Sequence, residues 1–183
     1  NKNTSNLFNQ LSPRLSSSYA LLQSVNLNAG LGRYYQLPAY TTLGIRNDAG
    51  DLLNKQNLQY IGVNQYNLGI DKKFGSEYFL SVEGFYKDYF QYPIDLITGA
   101  SLANQGADYS GVAGATTISS TGVGEAYGLE VLGRVNLQKF NLLASYTFVR
   151  SLFTDINGEL IPSSWDSRNL FTLTATKDLK KDW

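Results

Sequence analysis

The side chains able to do chemistry are few and dispersed. Glu130 and Arg134 stand four residues apart, as do Glu83 and Lys87. On a strand that spacing puts both members on one face. There they form a charge ladder in a polar lining, or line a path for a solute. Arg14, Arg33, Arg150 and Arg168 fall near segment ends, placed either to attract an anion or simply to solvate a rim. Asp155-Ile156-Asn157-Gly158-Glu159 sets oxygen ligands at alternate positions, a little like the start of a calcium loop. The distal bidentate glutamate of such a loop is not at its spacing, so a turn is the better reading. Gly30-Leu31-Gly32 and Gly122-Val123-Gly124 miss the dinucleotide fingerprint and precede no helical pattern. They read as small residues under crowded neighbours or at strand bends. Carboxylates suffice in number for glycoside hydrolysis, yet nothing in the sequence places two at a shared site.

Several functions are removed by composition. The 183 residues contain no histidine and no cysteine, so a Ser–His or Cys–His nucleophile cannot be assembled from this chain, nor a thiolate metal site. No catalytic, cofactor-binding or metal-ligating residue is assigned, no ligand-binding residue is identified, no cofactor is implied, and the chain is not read as an enzyme. Basic and acidic residues balance at 15 each with pI near 6.5, which leaves no electrostatic footprint for nucleic acid. No apolar run is long enough for a membrane-crossing helix, which leaves membrane-crossing strands open. The chain starts at Asn1 without a basic-then-apolar leader, so an export signal is expected outside it.

The elements that must position these residues are strands. Seven segments alternate apolar and polar residues: about Pro13–Leu22, Val25 to Pro38, Gly62–Lys72, Tyr78–Tyr89, Gly124–Leu137, Phe140–Ser151 and Asp166–Thr176. Val25, Leu27, Ala29 and Leu31 face away from Asn26, Asn28, Gly30 and Gly32. Likewise Tyr127, Leu129, Val131 and Val135 oppose Gly128, Glu130, Arg134 and Asn136. The connections alternate too. Gln23-Ser24, Lys73 to Ser76 and Gln138-Lys139 are tight turns. Ala39–Ile61 is long, with Leu52–Tyr60 a candidate for a helical turn or two. Phe90–Val123 is longer still and rich in Gly, Ala, Ser and Thr, which predicts a mobile excursion. Asn1–Ser12 reads as the end of a loop and Lys177–Trp183 as a fourth short turn.

Half-apolar strands about ten to fourteen residues long, joined by alternately short and long connections, are the pattern of an antiparallel transmembrane β-barrel. Tyr34, Tyr35, Tyr60, Tyr78, Tyr89 and Tyr127 near strand ends are placed for an interfacial girdle. Seven strands leave two open edges, which hydrocarbon does not tolerate. Residues 1–183 are therefore expected to be a partial barrel domain, about seven strands of a larger one. Two other readings stay open: a plug-free channel, secretion or structural barrel, and a soluble β-rich adhesin or carbohydrate-binding domain.

Leu11-Ser12-Pro13-Arg14-Leu15, Gly32-Arg33-Tyr34-Tyr35-Gln36-Leu37-Pro38, Tyr127-Gly128-Leu129-Glu130, Ala144-Ser145-Tyr146-Thr147 and Asp166-Ser167-Arg168-Asn169 resemble, in order, the later barrel of TonB-dependent outer-membrane receptors in the style of Bacteroidetes-type bacteria. The resemblance implies a bacterial outer-membrane location, a barrel of about 22 strands and a plugged lumen. It implies import of a scarce nutrient (a metal chelate, cobalamin or a glycan). Implied partners are membrane lipid and lipopolysaccharide, a plug domain and TonB reached through parts outside this chain, and a surface lipoprotein as a further candidate. No plug domain and no TonB-binding segment is read within it.

The face assignment makes a prediction. In the full-length protein, Val131→Arg on the lipid face lowers unfolding stability by about 2–4 kcal/mol if it lies mid-membrane, whereas Asn136→Arg on the lumen face costs little. Urea unfolding in vesicles measures both, and equal losses would contradict the assignment.

Overall fold

The computed structural model describes residues 10–55, 57–105 and 116–177. Its architecture is one antiparallel sheet: β1 (Arg14–Leu22), β2 (Val25–Gln36), β3 (Ile61–Phe74), β4 (Tyr78–Asp95), β5 (Ile118–Leu137), β6 (Phe140–Thr154), β7 (Leu160–Pro162) and β8 (Arg168–Lys177). Among the described residues one short α-helix, α1 (Tyr40–Gly44), lies in the β2–β3 connection. Strands pair in chain order from β1 to β6, and β7 and β8 both pair with β6. β8 takes the part of β6 from Phe140 to Val149, and β7 takes Leu152 to Thr154. The sheet is open among the described residues, with β1 and β8 at its edges.

The register explains the alternation. Tyr19, Leu27, Ile70, Val82, Val131, Tyr146 and Phe171 are successive cross-strand partners. Because side chains alternate with a period of two, one such row fixes the facing of every other residue. Apolar side chains on this face stay exposed, among them Leu68 at 59% and Phe171 at 70%. A soluble sheet would cover such a surface with a second layer. The parallel row on the other face is Ser18, Asn28, Gly69, Glu83, Glu130 and Thr147.

The tight turns fall where the sequence puts them, at Gln23-Ser24, around Gly75 and at Gln138-Lys139. Four expectations need correction. First, the described residues form eight strands where about seven are expected, because Leu160–Pro162 pairs along the top of β6. Three residues ending in proline carry too little alternation to read as a strand. Second, the β4–β5 hairpin continues six residues past each expected end, so residues 90–95 and 118–123 are ladder rather than loop. A bulge disguises this: Gln91 has φ 56°, the register shifts between Tyr89 and Tyr92, and Pro93 breaks the pattern. Third, helix forms at Tyr40–Gly44, not within the described part of Leu52–Tyr60. Fourth, Tyr34 and Tyr89 belong to the polar-face rows, partnering Val63 and Gly124. Tyr35, Tyr78 and Tyr127 keep the apolar face, where Tyr127 joins Tyr66 and Tyr86 in one cross-strand row. The expected loop at Asn1–Ser12 and the turn at Lys177–Trp183 lie mostly outside the described residues, as does Gly111–Ala115.

The glycines divide by surroundings. At Gly124 a Cβ would overlap the ring of Phe153, and at Gly32 it would press on Tyr34, so both make room for aromatic rings as expected. At Gly128 it would overlap the Phe148 carbonyl and crowd Phe85 at 2.9 Å. At Gly84 nothing lies closer than 3.9 Å. Gly128→Ala accordingly lowers stability by about 1–3 kcal/mol through overpacking. Gly84→Ala is neutral or raises stability by about 0.5–1 kcal/mol, the usual cost of a strand glycine. Denaturant midpoints of the two variants in the full-length protein check this, and equal tolerance would contradict the packing.

Candidate functional site: the polar wall and the long-loop rim

The polar face carries two separate runs of side-chain hydrogen bonds that together touch four strands. Ser18 Oγ donates to Asn28 Oδ1 at 2.7 Å, and Asn28 Nδ2 donates to Asp71 Oδ2 at 2.6 Å. Gln65 Nε2 donates to Asn67 Oδ1 at 3.0 Å, and Asn67 Nδ2 donates to Glu83 Oε1 at 3.0 Å. Between them lies an open groove of about 330 Å³ lined by Ser16, Ser18, Asn28, Gly30, Asn67 and Glu83. Such a surface holds spare donors and acceptors for a protein or solute across it. It is not polar throughout, since Leu132, Leu143 and Leu170 share its parity.

Arg134 and Lys87 of the two sequence ladders pack on aromatic rings. Arg134 lies over the Phe79 ring at 5.1 Å and Lys87 over Phe85 at 5.5 Å, a cation–π arrangement. Register instead sets Glu83 opposite Glu130 on the polar face and Asp88 opposite Glu125 on the apolar one. The four arginines split. Arg14 stacks over Tyr34 at 4.4 Å, and Arg33 donates from Nε to Asn64 Oδ1 at 2.8 Å. Arg150 and Arg168 both meet Asp166, at 3.0 and 3.5 Å. Burial of Asp166, whose side chain is 4% exposed, pushes its carboxyl up. The Ser151 amide N–H at 2.8 Å and the Arg150 guanidinium overcome that, and the net shift is downward. A carboxylate anchored this way fixes the approach to β8 against the top of β6.

Fully buried apolar side chains gather at the rim bearing the long loops: Leu58, Ile94, Ala103, Ile118 and Phe153. Tyr89 and Tyr92 pack on Phe153 with centroids at 5.2 and 4.4 Å. Sequence reasoning missed the polar residues that organise this rim. Asn54 is fully buried. Its Nδ2 donates to the carbonyls of Thr42 and Thr116, and its Oδ1 accepts from the Ile118 N–H at 2.9 Å. It thus joins α1 to the start of β5. Asp95, 3% exposed, accepts from the N–H groups of Ile97 and Thr98 and closes the turn after β4. A lone Asn or Asp in a loop carries no signal that separates these roles from ordinary solvation. Asp155 behaves as the turn reading requires. Its Oδ1 accepts from the N–H groups of Glu159 and Asn157, both at 2.9 Å. The Glu159 amide leads the donors that hold this carboxyl below its usual range. Gly158, at φ 84°, completes the turn.

An exposed apolar face, a hydrogen-bonded polar face and an aromatic row below a loop-bearing rim together define the wall of an outer-membrane β-barrel. The family model described as TonB dependent receptor-like, beta-barrel, matches residues 1–183, and the chain belongs to that family, which places it in the bacterial outer membrane. Among solved structures it resembles the FpvAI receptor in its complex with pyocin S2, at 16% identity and TM-score 0.61, over 93% of this chain and 21% of that one. It also resembles the alcaligin outer-membrane receptor FauA from Bordetella pertussis, at 19% identity and TM-score 0.58, over 93% and 26%. At these identities the likeness shows the fold. The chain spans about a fifth to a quarter of the length of these two receptors. No curated protein matches it in sequence.

The rim makes its own prediction. Asn54→Ala strands a buried N–H and two carbonyls, at about 1–3 kcal/mol for each unsatisfied group. Limited proteolysis of the full-length receptor will show faster cutting within residues 39–60 while the barrel keeps its heat-resistant mobility on gels. Unchanged cutting would mean that Asn54 does not hold the loop.

Proposed function

We propose that this chain is part of the barrel wall of a TonB-dependent receptor that imports a scarce nutrient across the outer membrane, a metal chelate, cobalamin or a glycan. The observation that carries this reading is the division of labour between the two faces. The apolar face suits outer-membrane lipid and lipopolysaccharide. The polar face, with Ser18 bonded to Asn28 and Asn67 bonded to Glu83, suits contact with a plug domain supplied outside these residues. Energy reaches that plug through TonB, also by contacts outside the chain. The solved neighbours support a receptor role: FauA is named for alcaligin, and FpvAI is seen with pyocin S2. In this reading the loops ordered by Asn54 and Asp95 meet the ligand. The chain's part is binding and transport, not catalysis.

Growth of the native bacterium tests the reading. Deleting the gene should abolish growth when one of these nutrient classes is supplied as the sole scarce source, and deleting TonB should do the same. Uptake that needs the gene but survives loss of TonB would favour a plug-free channel instead.

A further inference from the structure

Two cations on the polar face are held in the same way. At Gly32 a Cβ would press on the Tyr34 ring, and at Gly128 it would crowd Phe85 at 2.9 Å. Each glycine lets a ring lie against the sheet, and each ring carries a cation. Arg14 sits over Tyr34 at 4.4 Å and Lys87 over Phe85 at 5.5 Å. A ring face attracts a cation without cancelling its charge or using up its N–H donors. Arg14 and Lys87 share one cross-strand row with Gly32, Gln65, Ala126 and Ser151, and none of these is a carboxylate. Asp166, beside Ser151, is already matched by Arg150 and Arg168. The row above is uncharged, running Tyr34, Val63, Tyr89, Gly124 and Phe153. Glu83 and Glu130 come two rows lower, four residues along their strands from Lys87 and Ala126. The upper part of this face is therefore cationic and its middle acidic.

We propose that the Arg14–Lys87 row receives the anionic groups of the imported solute, an inference that rests on the importer reading above. Among the nutrient classes named there, it selects a metal chelate of net negative charge over cobalamin or a neutral glycan. Arg14 lies on β1 and Lys87 on β4, three strand spacings or about 14 Å apart. One multiply charged solute can bridge that gap, with Gln65 between the two cations as a further donor. Anionic oxygens take charge-assisted hydrogen bonds from guanidinium and ammonium groups, about twice as strong as neutral ones. A neutral sugar gains less, because Tyr34 and Phe85 each have the sheet behind them and a cation in front. Unmatched cations on a low-dielectric wall also draw anions toward it from a distance.

A nitroxide at Gln65 in the full-length receptor, purified in detergent micelles, tests this with two metal chelates as probes. Tris(oxalato)chromate(III) is anionic, and nickel ethylenediaminediacetate is neutral and equally water-soluble. Relative to the free label in solution, the anionic chelate should collide with Gln65 several-fold more often than the neutral one. Arg14→Gln with Lys87→Gln should remove that excess, and Arg14→Lys with Lys87→Arg should keep it. Should the glutamine pair misfold, each single glutamine variant should lower the excess part-way. An excess that ignores these substitutions, or no excess at all, would overturn the anion row. So would a label that neither chelate reaches. The growth test keeps the two readings apart. A TonB-dependent nutrient that proves to be cobalamin or a neutral glycan would overturn the anionic class and leave the importer standing. Uptake that survives loss of TonB would remove the importer reading itself.

Discussion

Hydrocarbon supplies no hydrogen bonds, so a chain that crosses it must satisfy its backbone N–H and C=O groups within its own ladder. That constraint underlies every other feature of this structure. From β1 to β6 the pairing is antiparallel and nearly continuous, with twelve paired positions between Val25 and Gln36 alone. Continuity makes the period of two strict, and a strict period sorts Leu, Val and Tyr to one face and Asn, Ser and Glu to the other. A slip of one residue at any pairing would exchange the faces. The glycines under Phe153 and Tyr34 serve the same end, since they let aromatic rings lie flat without forcing strands apart.

Beyond the membrane the constraint relaxes and the structure changes character. The β4–β5 hairpin bulges at Gln91, and β7 covers the β6 edge above β8. Buried side chains replace ladder bonds as the organising contacts. Asn54, Asp95 and Asp166 each accept backbone N–H groups that regular pairing no longer serves. Loops built this way can vary without disturbing the wall.

The wall was legible in the sequence because alternation is local: Val25 to Leu31 shows it without any knowledge of neighbours. The family followed from short phrases along most of the chain. What alternation cannot report is anything that breaks it. The bulge at Gln91 and Pro93 hid six residues of β4, and the Ser, Thr and Gly of Ile118–Val123 looked like loop. Pairing partners were equally out of reach. Glu83 and Lys87 read as rungs of one charge ladder, but the ring of Phe85 takes the lysine, and Glu130 arrives opposite Glu83 from another strand. Asn54 is the clearest miss, because its partners at Thr116 and Ile118 are more than sixty residues away.

The central claim is that one face of this sheet lies in lipid and the other in the barrel interior. Nitroxide scanning of residues 129–134 in the full-length receptor, reconstituted in vesicles, tests it most directly. Oxygen accessibility, which reports hydrocarbon, should peak at Leu129, Val131 and Gly133 and fall at Glu130, Leu132 and Arg134. A profile without that period of two, or one with its peaks on the Glu130 side, would contradict it.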